Sequence, residues 1–197
     1  ISNKFKKKIY FLTESIDKIN KDKFVFSKKN NKIIFIGNLN YLPNILACKE
    51  FIYSVIPRLV KFLPDLKFYV IGNIKLIDKF ILSFNKNVKI LGEQKNIERY
   101  MGNSICGISN LRVASGVQGK ILTYMSFGLP VICSKQTAAN FNKSVVRYNN
   151  NGDLIKKILL LKNNKKISLN YSIKSKKMVK KLTWNKLSPN YSKVIKF

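Results

Sequence analysis

At 197 residues and 46% hydrophobic content, the chain is long enough for one domain with a packed core, and a wholly disordered protein is excluded. Lys49, Glu50, Arg58 and Lys61 interrupt the longest apolar candidate, so no stretch offers the roughly 18 to 20 uncharged residues of a membrane span. Thirty-eight Lys plus Arg against nine Asp plus Glu give a net charge of +29, which favours anionic partners such as nucleotides, nucleic acid or anionic lipid, and the absence of histidine excludes His-based triads, general bases and zinc sites.

The excess of Lys with Asn and Ile is also what AT-rich coding produces, so charge alone does not define a binding patch; a true patch is one-sided. Cys48, Cys106 and Cys133 are odd in number, far apart and set in apolar runs. They read as buried thiols in a reducing cytoplasm rather than as disulfides or a metal site. The chain begins at Ile1, and the apolar run after Lys6-Lys7-Lys8 is too short for a signal-peptide core, so part of a longer protein is expected.

Residues 1–30 are Lys- and Asn-rich and read as a linker, with one weak helix over Thr13 to Asn20 in which Ile16 and Ile19 share a face. Ile33-Ile34-Phe35-Ile36 is then a short β-branched run closed by Gly37, the pattern of a buried parallel strand. A helix follows from Asn44 to Phe62, with Ala47, Phe51, Val55, Leu59 and Phe62 at helical spacing and a kink or restart expected at Pro57. Strand, glycine and helix recur: Leu66 to Ile71 before Gly72, a helical segment with Leu76, Phe80 and Ile81, then Val88 to Leu91 before Gly92.

A short helix over Asn96 to Met101 precedes a strand at Ile105 to Ser109. The glycine-rich turn Gly116-Val117-Gln118-Gly119-Lys120 opens a helix to about Phe127, followed by a strand at Val131 to Ser134 and a last short one at Val145 to Tyr148. Helices near Asp153 to Leu161 and Lys166 to Leu182 complete a domain over 31–182, with 183–197 as a C-terminal tail. The repetition predicts an α/β fold, a Rossmann-like open parallel sheet with helices on both faces. Gly37, Gly72 and Gly92 then lie at the carboxyl edge of the sheet beside the Gly116 turn. A helix N-terminus there suits a phosphate or diphosphate.

The order Ile36 to Asn44, Phe51 to Pro57, Tyr69-Val70-Ile71-Gly72, Val88 to Gly92 and Gly116 to Ser134 resembles the C-terminal, nucleotide-sugar-binding domain of retaining glycosyltransferases of the family-4 type. Those enzymes have two Rossmann-like halves in the arrangement called GT-B. The resemblance spans about residues 9 to 182 and implies one half of that fold, with residues 1–30 as the tail of a missing N-terminal acceptor domain. It further implies a nucleotide-diphospho-sugar donor, a glycan or lipid-linked acceptor of a bacterial cell-surface polysaccharide pathway, and no obligatory metal or cofactor.

On that resemblance Arg112, Gly116, Val117, Gln118 and Lys120 are the candidate diphosphate contacts, and Gly37, Asn38 and Glu93 border the sugar or ribose. Each has a plainer alternative: a surface ion pair for Arg112, a solvated lysine for Lys120, tight turns for the glycines and Asn38, a structural role for Glu93. Many relatives carry two glutamates separated by seven residues, the second meeting the donor ribose; here those positions are Ser115 and Thr123, whose hydroxyls make weaker hydrogen bonds than a carboxylate. Catalytic residues are left unassigned. A non-catalytic remnant of the same fold and a basic nucleic-acid-binding module are the alternative functions, the latter without any recognition motif. Tyr41, Tyr100, Tyr124 and Trp184 are either base-stacking or core aromatics, and Lys174 to Lys181 is either a peripheral contact with an anionic membrane face or a solvated helix docked on the domain.

Overall fold

A computed structural model describes residues 15–17, 19, 20, 24–114 and 116–195. Six strands form one parallel sheet in the order β3-β2-β1-β4-β5-β6: β1 Lys32–Ile36, β2 Lys67–Ile71, β3 Val88–Gly92, β4 Ser104–Ser109, β5 Val131–Cys133 and β6 Val146–Arg147. The chain runs outward from β1 to β3, then returns to the other side of β1 with β4. The switch of direction therefore falls between β1 and β4, where a doubly wound sheet opens its ligand crevice.

Nearly every residue of β1, β2 and β4 is apolar or small because helices cover both faces. On one face Phe35, Phe68 and Val70 pack against Phe51, Val55 and Leu59, and on the other Ile34 and Val131 pack against Ile121, Tyr124 and Met125. The helix after β1 begins at Leu42 with Pro43 in its first turn and is regular to Glu50 (α1). It widens into a π turn over Phe51–Val55 and ends as α2, Ile56–Leu59. Pro57 has no N–H to continue an α ladder; the π turn just before it absorbs the mismatch, and the helix restarts as α2 with Pro57 in its first turn, one of the two outcomes expected.

α3 covers Leu76–Ser83, α4 Glu98–Met101 and α5 Gly119–Ser126; two short elements that the apolar periodicity did not predict, α6 at Lys135–Ala138 and a 3-10 turn at Asn142–Ser144, lead into β6. α7 Asn151–Asn163 and α8 Lys165–Val179 follow, started by the side chains of Asn150 and Asn164, which accept from Asp153 N–H and Ile167 N–H. α9 spans Trp184–Ile195 within the stretch read as a tail. The helix expected over Thr13 to Asn20 is absent where the structure describes that stretch. Ile16 instead forms a β-bridge with Thr183, exchanging bonds with Leu182 O and Trp184 N, and Ile16 and Ile19 pack on the α5 face of the core.

α8 packs along α5, burying Val179 and seating Met178 and Leu182 against the core, so the Lys174 to Lys181 stretch is a docked helix.

The carboxyl edge is shaped by close contacts that only glycine permits. Gly72 has φ +142°, and a Cβ there would lie 2.0 Å from Gly37 O. Lower in the sheet, a Cβ on Gly107 would fall 2.4 to 2.6 Å from the ring of Tyr124. That ring is fully buried, and its hydroxyl accepts from Ile36 N–H at 2.6 Å and donates to Ile108 O at 3.3 Å. The β1–β4 ladder has its last pair at Ile34 and Gly107, while β1–β2 pairing continues to Ile36. Tyr124 thus satisfies backbone groups of the two strands where their pairing stops. Replacing Tyr124 by Phe leaves a buried N–H without its acceptor and should lower the unfolding free energy by about 1–3 kcal/mol in urea titrations; Gly107→Ala, which forces a methyl into the ring, should cost at least as much.

Candidate functional site

At the switch point the loop after β1, Gly37 to Tyr41, faces the loop after β4, Asn110 to Gln118. α5 rises between them with Lys120 in its first turn, four residues and so about one helical turn from Tyr124. Lys120 does not extend into water. Its ammonium donates to Asn44 Oδ1 at 2.5 Å and sits 4.5 Å from the centroid of the Phe35 ring. A Cβ on Gly37 would lie 3.0 Å from Lys120 Nζ and 3.0 Å from Asn44 Nδ2, so Gly37 leaves the space these side chains occupy.

Asn44 is buried at the start of α1 and donates through Nδ2 to Asn38 O at 2.9 Å. Asn38 itself accepts from Asn40 N–H through Oδ1, which fixes the turn. Gly37, Asn38 and Lys120, far apart in sequence, are therefore joined through Asn44. Burial pushes the Lys120 ammonium down to about 8 from 10.5. A cation held largely out of water, at the N-terminal end of a helix, meets an unfavourable dipole, and among the described residues it has no counter-charge. An anion entering the crevice supplies what both the ammonium and the helix N-terminus lack.

The other predicted diphosphate residues are arranged differently. Gly116 has φ +66°, the left-handed conformation of a tight turn, and its carbonyl accepts from Asn140 Nδ2 at 2.8 Å. Val117 packs on the core and Gln118 is the N-cap residue of α5. Arg112 is exposed and grips Glu50 with two bonds, Nε to Oε2 at 3.1 Å and Nη2 to Oε1 at 3.0 Å, the ion-pair alternative weighed from sequence. Asn151 Nδ2 adds a contact to Oε1 at 3.3 Å. The guanidinium holds the Glu50 carboxyl below the usual carboxylate range.

Of the candidate ribose and sugar contacts, Thr123 donates its hydroxyl to Gly119 O at 3.0 Å, back-bonded within its own helix. Glu93 is exposed just past β3, two strands from the switch point, and is not brought to Lys120. Ser115 lies outside the described residues. Of the possible stacking residues, Tyr124 is core, Tyr100 packs on Tyr69 and bonds Gln94, and Tyr41 is exposed beside the crevice loop.

Several residues of the site carried no motif. Ser109 and Asn110, at the carboxyl end of β4, are both buried, and Ser109 Oγ and Asn110 Oδ1 have no hydrogen-bond partner among the described residues. Unpaired buried polar atoms at a strand's carboxyl end mark a place where a ligand's donors complete the network. The loop is fixed from below: Ser134 Oγ donates to Leu111 O at 2.6 Å and Thr137 Oγ1 to Ser109 O at 2.8 Å. The only sequence signal was a strand ending in Ser-Asn where β1, β2 and β3 end in glycine.

Beside this loop a cleft of about 380 Å³ opens at the carboxyl ends of β4, β5 and β6, lined among others by Asn110, Arg112, Ser134 and Tyr148. A second hollow of about 730 Å³, lined mainly by Leu42, Leu46, Tyr53 and Val113, lies along α1. The Glu50–Arg112 pair and Asn151 line both and form the partition between them.

Known proteins share this fold. Residues 30–164 match the family described as glycosyl transferases group 1. The fold superposes on a crystal structure of a mutant S. aureus TarM in complex with Fondaparinux, alpha-GlcNAc-glycerol and UDP, with a TM-score of 0.76 at 18% identity over 99% of this chain. It likewise superposes on Anabaena HepE in complex with UDP and glucose, with a TM-score of 0.68 at 12% identity over 86% of this chain. A third, WaaG, described as a glycosyltransferase involved in lipopolysaccharide biosynthesis, gives a TM-score of 0.63 at 12% identity over 87% of this chain. The chain spans 41%, 50% and 48% of those three proteins, respectively. No curated protein matches it in sequence. With the family match covering most of its length, the chain belongs to the group 1 glycosyl transferases.

Proposed function

We propose that this chain is the donor-binding half of a glycosyltransferase that moves a hexosyl group from a nucleotide-diphospho-sugar to a glycan or lipid-linked acceptor of a bacterial cell-surface polysaccharide, the acceptor being held by another part of the protein. The observation that carries the reading is the largely buried Lys120 ammonium at the switch point, joined through Asn44 to the Gly37–Asn38 turn and without a carboxylate partner among the described residues. UDP in the TarM and HepE complexes supports the nucleotide class.

In this reading the diphosphate lies against Lys120 and the first amides of α5, and the nucleoside occupies the cleft beside Asn110 and Ser134. As the glycosidic bond to the β-phosphate breaks, negative charge builds on the departing diphosphate. A fixed ammonium in a site shielded from water stabilises that charge without reorganisation, which lowers the barrier to departure. Arg112 joins this role only by exchanging Glu50 for a phosphate, a swap its exposed guanidinium permits. Neither a metal nor a cofactor is required, since lysine and helix amides supply the positive charge. The cytoplasm, where nucleotide sugars and reduced thiols coexist, is the compartment proposed.

Calorimetric titration of the chain with UDP and GDP tests the reading. Saturable binding is expected, with Lys120→Ala lowering affinity at least tenfold; binding indifferent to that substitution would place the diphosphate elsewhere, and no binding would favour a non-catalytic remnant. The phosphate should hold the proton on Lys120, so affinity should be nearly constant from pH 7 to about 8 and fall above it as the free ammonium deprotonates.

The same group sets an alkaline signature in the free chain. Below about pH 8 both folded and unfolded chains carry the proton and the folded state bears the full burial penalty, on the order of 3 kcal/mol. Between pH 8 and 10.5 the unfolded chain binds more protons, so stability rises with pH. In chemical denaturation at stepped pH, Lys120→Met should be more stable than wild type at pH 7, and the difference should shrink towards pH 10.

A further inference from the structure

α3 carries its apolar side chains on the side away from its own fold. Leu82 is the buried residue of the helix, whereas Leu76 is 83% exposed, Ile77 63%, Phe80 64%, Ile81 45% and Phe84, just past its end, 74%. At about 100° per residue those five fall within an arc of about 140°, centred nearly opposite Leu82. The rings of Phe80 and Phe84 pack edge to face with centroids 4.8 Å apart, forming one continuous apolar ridge. Single exposed apolar residues are ordinary on a soluble surface; five in one stripe are not.

The rim of the stripe is cationic. Lys75 precedes the helix, Lys79 lies on it and Lys86 follows it, all exposed; Lys89 turns to the other face of the sheet, over the ring of Tyr69. The helix has one acid, Asp78, and its carboxylate is engaged by Lys49 at 2.8 Å on the inward side. We propose that α3 is a docking surface for an anionic lipid bilayer, with Leu76, Phe80 and Phe84 entering the boundary between headgroups and acyl chains while Lys75, Lys79 and Lys86 meet lipid phosphates. Charge complementarity selects this occupant: an apolar centre ringed by lysines matches an anionic leaflet. The ridge also lacks the Tyr, Trp and Arg anchors that concentrate binding energy at protein interfaces.

This surface is separate from α8, whose lysines surround a helix already docked on α5. It does not rest on the donor-binding reading. It bears on the geometry all the same, because α3 begins four residues after Gly72, at the carboxyl edge that carries the crevice, so a bilayer along α3 lies beside that edge.

Co-sedimentation with phosphatidylcholine vesicles containing or lacking phosphatidylglycerol tests the proposal. The 197-residue chain should bind the anionic vesicles, bind the zwitterionic ones at least tenfold more weakly, and lose at least tenfold in affinity for the anionic ones on Phe80→Ser/Phe84→Ser. Both rings are exposed, so that variant should keep the wild-type circular dichroism spectrum and melt, and it keeps every charge. Unchanged binding by the variant would reduce the interaction to general electrostatic adsorption of a +29 chain and overturn the insertion. So would an absence of wild-type binding, or a dimer in sedimentation velocity that the same variant dissolves.

Discussion

The crevice depends on a parting of two strands, and a phenol makes that parting tolerable. Parallel strands that stop pairing expose N–H and C=O groups that cost free energy unless something else pairs them. Tyr124 does so for Ile36 N–H and Ile108 O, from inside the core. Gly107 clears the room for its ring, and one helical turn away the same helix delivers Lys120 into the gap. One short helix therefore closes the bottom of the opening with a neutral group and furnishes its top with a charged one. The two roles are linked by spacing: i and i+4 share a face.

Charge placement follows from the scarcity of carboxylates. With nine acids in the chain, each placement is informative, and Glu50 is spent on Arg112 at the wall between the two hollows rather than on Lys120. The ammonium is left with an amide oxygen and a ring face, partners that orient a cation without neutralising it. Orientation without neutralisation is what a phosphate site needs, because a resident carboxylate would compete with the ligand. Thr123, a position where the resemblance leads one to expect a carboxylate, carries a neutral hydroxyl turned to its own helix.

Much of the fold was legible because parallel strands buried on both faces are written as short apolar runs ending in glycine. Ile33 to Ile36 and Tyr69 to Ile71 announce themselves, and their glycines mark the carboxyl edge. The site was legible only where backbone geometry leaves a residue signature, in the Gly116 turn and Lys120. Asn44 gave no signal, since an asparagine at a helix start is ordinary; its importance lies in bridging two loops distant in sequence. Ser109 and Asn110 were equally silent, because an unpaired hydroxyl or amide is a property of the packed surroundings. Ile16 was misread for a related reason: two isoleucines three apart satisfy helical spacing, yet pairing with Thr183 outweighs so weak a local preference.

α3 shows where periodicity stops being informative. The spacing of Leu76, Phe80 and Ile81 predicts a helix and says nothing of which way its apolar side turns, since the same stripe serves a core or a bilayer. What decides is competition for the inner face. β3 stands at the end of the sheet with one neighbour, and the cluster beneath α3 is already filled by Phe51, Phe68 and Val88, leaving room for Leu82 alone. A helix that can bury one residue is poorly secured by its own fold, and its five outward residues gain free energy only when something other than water covers them. The Lys49–Asp78 pair then has a definite place: it ties the inward side of α3 to α1 and removes the one negative charge that would oppose an anionic surface.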